Sequence, residues 1–160
     1  MAQDIFIKLN GIDGESLDSK HKNEIEVLSW GWRVEQQSSA AFGSGIGAGK
    51  ATAADLVFDH YMDSASPNLM KYCLTGKPID QAVLTVRKAG GTPLEYIKYT
   101  LSEVLVTLVQ PSGSNGDTGI REQVHLSFVK VKQEHVKQNA QGGNGGVVTA
   151  AYDFKASKEA

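Results

Sequence analysis

Cysteine is almost absent from this chain. Cys73 is the only one among 160 residues, so no intrachain disulfide can form. That suits the cytoplasm and leaves later export open. An excess of charge is missing too: the formal net charge is -2, far from the concentrated basic surface that a general nucleic-acid binder needs. The start, Met-Ala-Gln-Asp-Ile-Phe, has no basic region followed by an apolar core, so no signal peptide is expected. No apolar run approaches the length that spans a bilayer, so no membrane insertion is expected. Internal sequence repeats are also lacking.

Chemistry-bearing patterns are equally scarce. His21, His60, His125 and His135 form no H-x-H, H-x-x-H or H-E-x-x-H pair, and no Cys/His cluster exists. Neither a metal site nor a cofactor is expected. The triplet Asp59-His60-Tyr61 can be sketched as an acid–base group, but a histidine at a strand end beside an aspartate reads more simply as an exposed pair. No G-x-S-x-G elbow is present. The Gly-rich stretch Ser38 to Lys50, S-S-A-A-F-G-S-G-I-G-A-G-K, invites a phosphate-loop reading and fails it. A Walker A loop ending at Gly49-Lys50 needs Gly at 44 and Ser or Thr at 51, where Ser44 and Ala51 stand. The G-x-G-x-x-G frames starting at Gly43, Gly45 and Gly47 fail at Ala48, Lys50 and Thr52. No catalytic residue is expected.

What is present is a single domain over 1–160. It is 41% hydrophobic and 21% charged, ordinary for a globular protein with a sizeable core. Glu24 to Gln36 organises the rest. Leu28, Trp30, Trp32 and Val34 alternate with Ser29, Gly31, Arg33 and Glu35, the period of a long β-strand. The even row is expected to be buried, with Trp30 and Trp32 in the structural core. Ile25 and Val27 sit on the odd row, so the pattern changes face near Val27–Leu28 through a bulge or cover on both sides. The Ser38–Lys50 stretch carries Phe42 and Ile46 and reads as an interaction arm, or more plainly as a flexible surface loop.

Other strands are expected around Ile5–Leu9, Ala54–Phe58, Ala82–Val86, Leu94–Gln110, Ile120–Val136 and Val147–Lys155. Glu15 to Asn23 is polar and reads as a loop. One helix is expected, with Ser66 as N-cap, Pro67 opening it and Gly76 with Pro78 stopping it. Leu69 with Cys73, and Met70 with Leu74, would share its apolar side. The second half of the Leu94 strand is apolar on both faces, which calls for cover on both. One helix among seven or so strands, spaced with glycine turns, predicts a mainly β fold, a mostly antiparallel β-barrel or sandwich.

Several stretches together carry a resemblance. They are Ile5-Phe6-Ile7-Lys8; Gly14-Glu15-Ser16 with Asp18-Ser19-Lys20-His21; Glu24 to Trp32; Gly47-Ala48-Gly49-Lys50; Ser66-Pro67-Asn68-Leu69; Leu84 to Gly91; and Leu101 to Val106. With them the chain resembles the Hcp family, the tube proteins of bacterial type VI secretion. The resemblance implies an antiparallel β-barrel with one short flanking α-helix, a homohexameric ring and stacking of rings into a tube. It also implies a contractile sheath that drives the tube out, a VgrG-type spike at its tip and small effector proteins in its pore. Gly31, where many relatives carry serine, falls at a pore-facing position, and Ser29 and Arg33 share its row. Phe42, Gly43, Ser44, Gly45, Ile46, Gly47 and Lys50 fall in the extended loop that relatives use in ring contacts. The chain would be cytoplasmic before assembly and leave by the type VI route without a signal peptide. No room is expected for a C-terminal toxin domain. Two readings stay open beside this one: a small-molecule-binding β-barrel whose tryptophan row lines a cavity, and a hydrolase-like enzyme.

Overall fold

A computed structural model describes residues 2–38, 48–90 and 92–160. Its elements in order are β1 (Gln3–Leu9), β2 (Ile25–Glu26), β3 (Ser29–Gly31), β4 (Val34–Ser38), β5 (Ala48–Ala53), β6 (Leu56–Tyr61), α1 (Ser66–Thr75), β7 (Ile79–Lys88), β8 (Leu94–Ser112), β9 (Arg121–Ser127), β10 (Lys130–Gln138), β11 (Asn144–Asp153) and β12 (Lys158–Glu159). The main sheet runs β12-β11-β10-β8-β7-β1-β2, and β8 also carries the branch β9-β6-β3. Strands β4 and β5 form a separate two-stranded ribbon. Every ladder is antiparallel. The chain is therefore mainly β with one short helix, as its alternation predicts.

The long Glu24–Gln36 strand does not exist as one piece. It divides into β2, β3 and β4, which is one reason the strands outnumber the expectation. The break at Val27–Leu28 is a change of partner. Val27 N–H donates to the Ile5 carbonyl at 2.9 Å, whereas Leu28 N–H donates to the Asp59 carbonyl at 2.8 Å. The segment leaves β1 and joins β6, and the apolar row changes face as it does so. Among the described residues no ladder joins β2 to β6. The circuit of strands is completed there by the covalent chain, so the barrel is not closed by hydrogen bonds.

The core is filled from the inward rows of these strands. Ile7, Leu9, Ile25, Leu56, Phe58, Leu84, Leu101, Val104, Val106, Val124 and Leu126 are all buried in one cluster. The even row of the signature stretch is buried only in part. Trp30 and Trp32 are half-buried and pack on this cluster, but Leu28 is 40% and Val34 55% exposed. Leu28 lies at the partner switch and Val34 lies on the ribbon, and neither has a second layer over it. Trp30 meets Tyr99 at 5.3 Å between ring centroids, and Trp32 meets Tyr99 at 5.6 Å and Phe128 at 5.7 Å.

The helix begins and ends near its predicted residues. Gly76 closes it in the left-handed conformation, φ 68°. Ser66 is the first helical residue, Ala65 is the N-cap, and Ala65 makes no side-chain cap bond. Asp63 supplies an acceptor instead: its Oδ1 takes the Ala65 N–H at 2.9 Å. Leu69 and Tyr72 are buried and Cys73 half-buried, with α1 packed against β8. Met70 and Leu74 are on the solvent side, Leu74 77% exposed. A short helix on a sheet buries one stripe, and the Leu69–Tyr72–Cys73 stripe occupies it.

The polar stretch after β1 is a loop, as expected, but a tightly docked one. Gly14 N–H bonds to Asn23 O and Ser16 N–H to Glu24 O. A Cβ at Gly14 would lie 2.6 Å from the Glu24 carbonyl oxygen, so only glycine permits this approach.

Phe58→Ala removes a fully buried ring and should cost about 3–5 kcal/mol. Leu74→Ala should stay within about 0.5 kcal/mol, because that side chain faces water. Denaturant midpoints of the two variants read both figures.

Candidate functional site

The side of β3, β6 and β9 away from the core carries a polar lattice. Cross-strand register sets Ser29 beside Asp59 and Asp59 beside Gln123, then Gly31 beside Val57 and Val57 beside His125. Their neighbours in sequence, Trp30, Phe58 and Val124, share the opposite, inward side. Ser29 Oγ donates to Asp59 Oδ2 at 2.8 Å, and Gln123 Nε2 donates to Asp59 Oδ1 at 3.4 Å. His125 Nε2–H donates to Gln123 Oε1 at 3.1 Å. One strand further, the Thr107 hydroxyl is shared between Asp55 Oδ2 at 2.6 Å and the His125 carbonyl at 3.2 Å.

An open groove of about 450 Å³ runs over this lattice, lined among others by Ser29, Gly31, Arg33, Asp55, Val57 and Asp59. The predicted trio Ser29, Gly31 and Arg33 is thus brought together on one surface. Arg33 stands past the end of β3 and reaches Glu35 Oε1 at 3.4 Å, an exposed pair of little energetic weight. A Cβ added at Gly31 would meet nothing within 4 Å. The glycine leaves the middle of the groove at backbone level.

Of the predicted stacking segment, Phe42, Gly43, Ser44, Gly45, Ile46 and Gly47 lie outside the described residues. Its flanks do not form a loop: Ser38 ends β4 and Lys50 lies in β5, with Ser38 paired to Ala48. Lys50 is exposed.

Two histidines depart from the sequence reading. His60 is not an exposed partner of Asp59. It shares the inward row with Leu56 and Phe58, is completely buried, and its Nε2 meets Glu122 Oε1 at 2.9 Å. Adjacent residues of a strand point to opposite faces, so the Asp59-His60 dipeptide is never a pair. Asp63 lies 3.9 Å from His60 Nδ1, and burial pushes its carboxyl above the usual range. Truncating one partner of such a buried pair costs about 3–5 kcal/mol, because the other is left uncompensated. His21 is also buried, stacked on Phe6 at 4.4 Å, with Glu24 at 2.9 Å and Glu95 at 2.6 Å on its two ring nitrogens. Arg87 also lies over the Phe6 ring, 5.1 Å from its centroid. It forks onto Asp18 at 2.6 and 3.1 Å and reaches Asp4 at 3.0 Å. Sequence reasoning missed this cluster, since its members come from β1, the 13–24 loop, β7 and β8.

A family model described as "Type VI secretion system effector, Hcp" matches residues 6–135. The chain belongs to the Hcp family. Its role is that of a type VI secretion tube subunit. Protein hcp1 of Pseudomonas aeruginosa is 43% identical over 162 residues, with all of both chains covered. Among solved structures, Hcp1 from Salmonella typhimurium is 54% identical over the whole of both chains, with a TM-score of 0.81. A type VI secretion system effector from Yersinia pestis is 43% identical, covering 94% of this chain and 99% of that one, with a TM-score of 0.78. In this Hcp chain the polar lattice therefore occupies the surface where the resemblance puts the pore-facing positions.

Two expectations follow for this Hcp protein. Gly31→Ser adds a hydroxyl over open groove, so the variant should be as stable as the parent or more stable by about 0.5–1 kcal/mol. Thermal melts measure this. The second concerns acid. The Arg87 hydrogen bond, helped by the Lys20 N–H, holds the Asp18 carboxyl well below the usual carboxylate range. In the unfolded chain Asp18 titrates near about 3.9. Its ionised form thus favours folding at any pH above about 4, and the contribution fades as the pH falls below that. Asp18→Asn should lower the denaturant midpoint at neutral pH, and the gap to the parent should narrow steadily as the pH falls below about 4.

Proposed function

We propose that this chain acts by assembly: six copies form a ring, and rings stack into a tube. The supporting observation is family membership that spans nearly the whole chain. In this reading a contractile sheath surrounds the tube, a VgrG-type spike caps it, and small effector proteins travel in its pore. The Ser29–Gly31–Arg33 groove faces that pore. Its Asp59, Gln123 and Thr107 groups offer hydrogen bonds to a passenger, and Gly31 offers only its backbone. The protein waits in the cytoplasm and leaves by the type VI route. Nucleic acid and membrane insertion play no part, and among the described residues no helix is long and apolar enough to cross a membrane.

The same reading assigns no catalysis. His60 and His21 are buried and engaged with carboxylates, which supports that reading. A small-molecule-binding barrel gains no support either. Side chains fill the interior, and the clefts touched by Trp30 and Trp32 are open surface ones.

The Ser38–Lys50 stretch, with Phe42 and Ile46, is assigned to part of the ring-to-ring contact. Ordering a loop costs about 1–2 kcal/mol of backbone entropy per residue, so one copy binds weakly. A ring presents many copies at once and recovers the loss through multivalency. Native mass spectrometry should show a six-chain species for the parent. Shortening the segment, or Phe42→Ser, should keep that species but abolish tubes at high concentration and abolish export. A shortened variant that stacks and is exported like the parent would make the segment a passive connector, and a parent that never exceeds a monomer would end the assembly reading.

A further inference from the structure

Asparagine followed by glycine is a reactive pair. The glycine backbone nitrogen, once it has lost its proton to base, attacks Cγ of the asparagine side chain. The new C–N bond closes a five-membered succinimide, and the side-chain nitrogen takes up a proton and leaves as ammonia. Water then opens the ring at either carbonyl, giving aspartate or isoaspartate. No oxidant or cofactor takes part, and water is the only co-reactant. Glycine favours the attack because it has no Cβ to obstruct the approach. The chain carries three such dipeptides, Asn10-Gly11, Asn115-Gly116 and Asn144-Gly145. Their local chemistry is the same, so the fold decides among them.

Two of the three are held. Asn10 N–H donates to the Gln81 carbonyl at 3.1 Å, and Ile12 N–H closes the turn on the Leu9 carbonyl at 3.1 Å. Gly11 lies in this turn at φ 86°, where a Cβ would be 3.2 Å from the Tyr72 hydroxyl. Asn144 belongs to β11 and pairs with Gln138. Its side-chain Oδ1 accepts the Gly146 N–H at 2.8 Å, and its carbonyl accepts Asn139 Nδ2 at 3.4 Å. A Cβ at Gly145 would lie 3.2 Å from both the Asn139 nitrogen and the Lys137 carbonyl oxygen. In both places the peptide that must rotate is fixed, and at Asn144 the reacting amide is itself occupied.

Asn115 is not held. It lies in the connection between β8 and β9, where residues 111–118 are all exposed. The turn is closed only at its ends: Asp117 N–H donates to the Ser114 carbonyl at 3.0 Å, and Ser114 N–H donates to Asp117 Oδ2 at 2.8 Å. Neither bond involves Asn115 or Gly116. Among the described residues the Asn115 side-chain amide and the Gly116 N–H have no partner. A Cβ at Gly116 would meet nothing within 4 Å. A segment with so few contacts opens at little cost in free energy.

We infer that Asn115 is a site of spontaneous deamidation in the folded protein, and that the fold protects Asn10 and Asn144. The product carries one more negative charge, two residues from Asp117. Isoaspartate also inserts a methylene into the main chain of the turn. The β8–β9 ladder reaches Ser112 and Arg121 and no further, so the reaction remodels the turn and leaves the sheet intact. None of this depends on the assembly reading.

The test is incubation of the folded full-length chain at mildly alkaline pH, followed by peptide mapping with mass spectrometry and chromatographic separation of isoaspartate from aspartate. The Asn115 peptide should convert at least about tenfold faster than the Asn10 and Asn144 peptides, because only it opens without breaking tertiary contacts. In concentrated urea the protection is gone, and the three peptides should convert at similar rates. Gly116→Ala fits the open space at that position and should slow the Asn115 reaction about tenfold, with an unchanged melting curve. A folded chain in which Asn10 or Asn144 converts as fast as Asn115, or in which Asn115 stays intact, overturns the inference. So does an equal preference for Asn115 in urea, which would place the selectivity in the sequence and not in the fold.

Discussion

Strand β8 carries hydrogen bonds to β7, β9 and β10, and the main sheet holds together only through it. Without β8 three separate groups would remain: β7-β1-β2, β10-β11-β12 and β9-β6-β3. One edge of β8 pairs with β7 up to Val104. The other edge pairs with β10 from Ile97 to Ser102 and with β9 from Leu105 to Ser112. The handover from β10 to β9 falls at Glu103, whose φ is 53°. A non-glycine residue rarely adopts that conformation, and its cost is carried by the ladders on either side. Opposite it, Phe128 and Val129 separate β9 from β10. The shift of apolar row within the Ile120–Val136 stretch is the same event seen from the partner strand.

This arrangement accounts for apolarity on both faces of β8. Val104 and Val106 enter the core. Leu108 and Val109 follow one another in sequence and are both half-buried, because the bulge between Val106 and Leu108 shifts the register against β9. Leu105 is left on the outside, partly exposed. Helix α1 covers part of β8 but not all of it. An apolar strand is therefore a record of partner changes along its length as much as of a layer above it.

The polar interior has a similar logic. His60 with Glu122 joins the inner rows of β6 and β9 near the start of α1, and Arg87 with Asp18 and Asp4 ties the 13–24 loop to β1 and β7. Buried ion pairs add little net stability, but they penalise any arrangement that leaves one partner alone. Both clusters sit where a segment without regular structure meets the sheet. His60 with Glu122 and Asp4 with Arg87 are also direct cross-strand partners, so they reinforce the register of the ladders there, and they leave the lattice around Asp59 as the accessible polar surface.

Much of this molecule was legible in its residues. Period-two alternation is a property of the backbone, so β1, β6 and β7 could be placed approximately from Ile5–Leu9, Ala54–Phe58 and Ala82–Val86 alone. Pro67 and Gly76 bracketed the helix because each constrains φ locally. The row of Ser29, Gly31 and Arg33 followed from the same alternation. Tertiary structure alone decided what lay on each side of those rows. Whether Leu28 and Val34 are covered depends on a switch of partner from β1 to β6, and alternation records that a face changes without recording what the strand then meets. His60 looked paired with its neighbour in sequence and is paired with Glu122 across the sheet, since strand geometry separates adjacent side chains and unites distant ones. The cluster around Phe6 draws on four segments, and only the folded chain brings them within hydrogen-bonding distance.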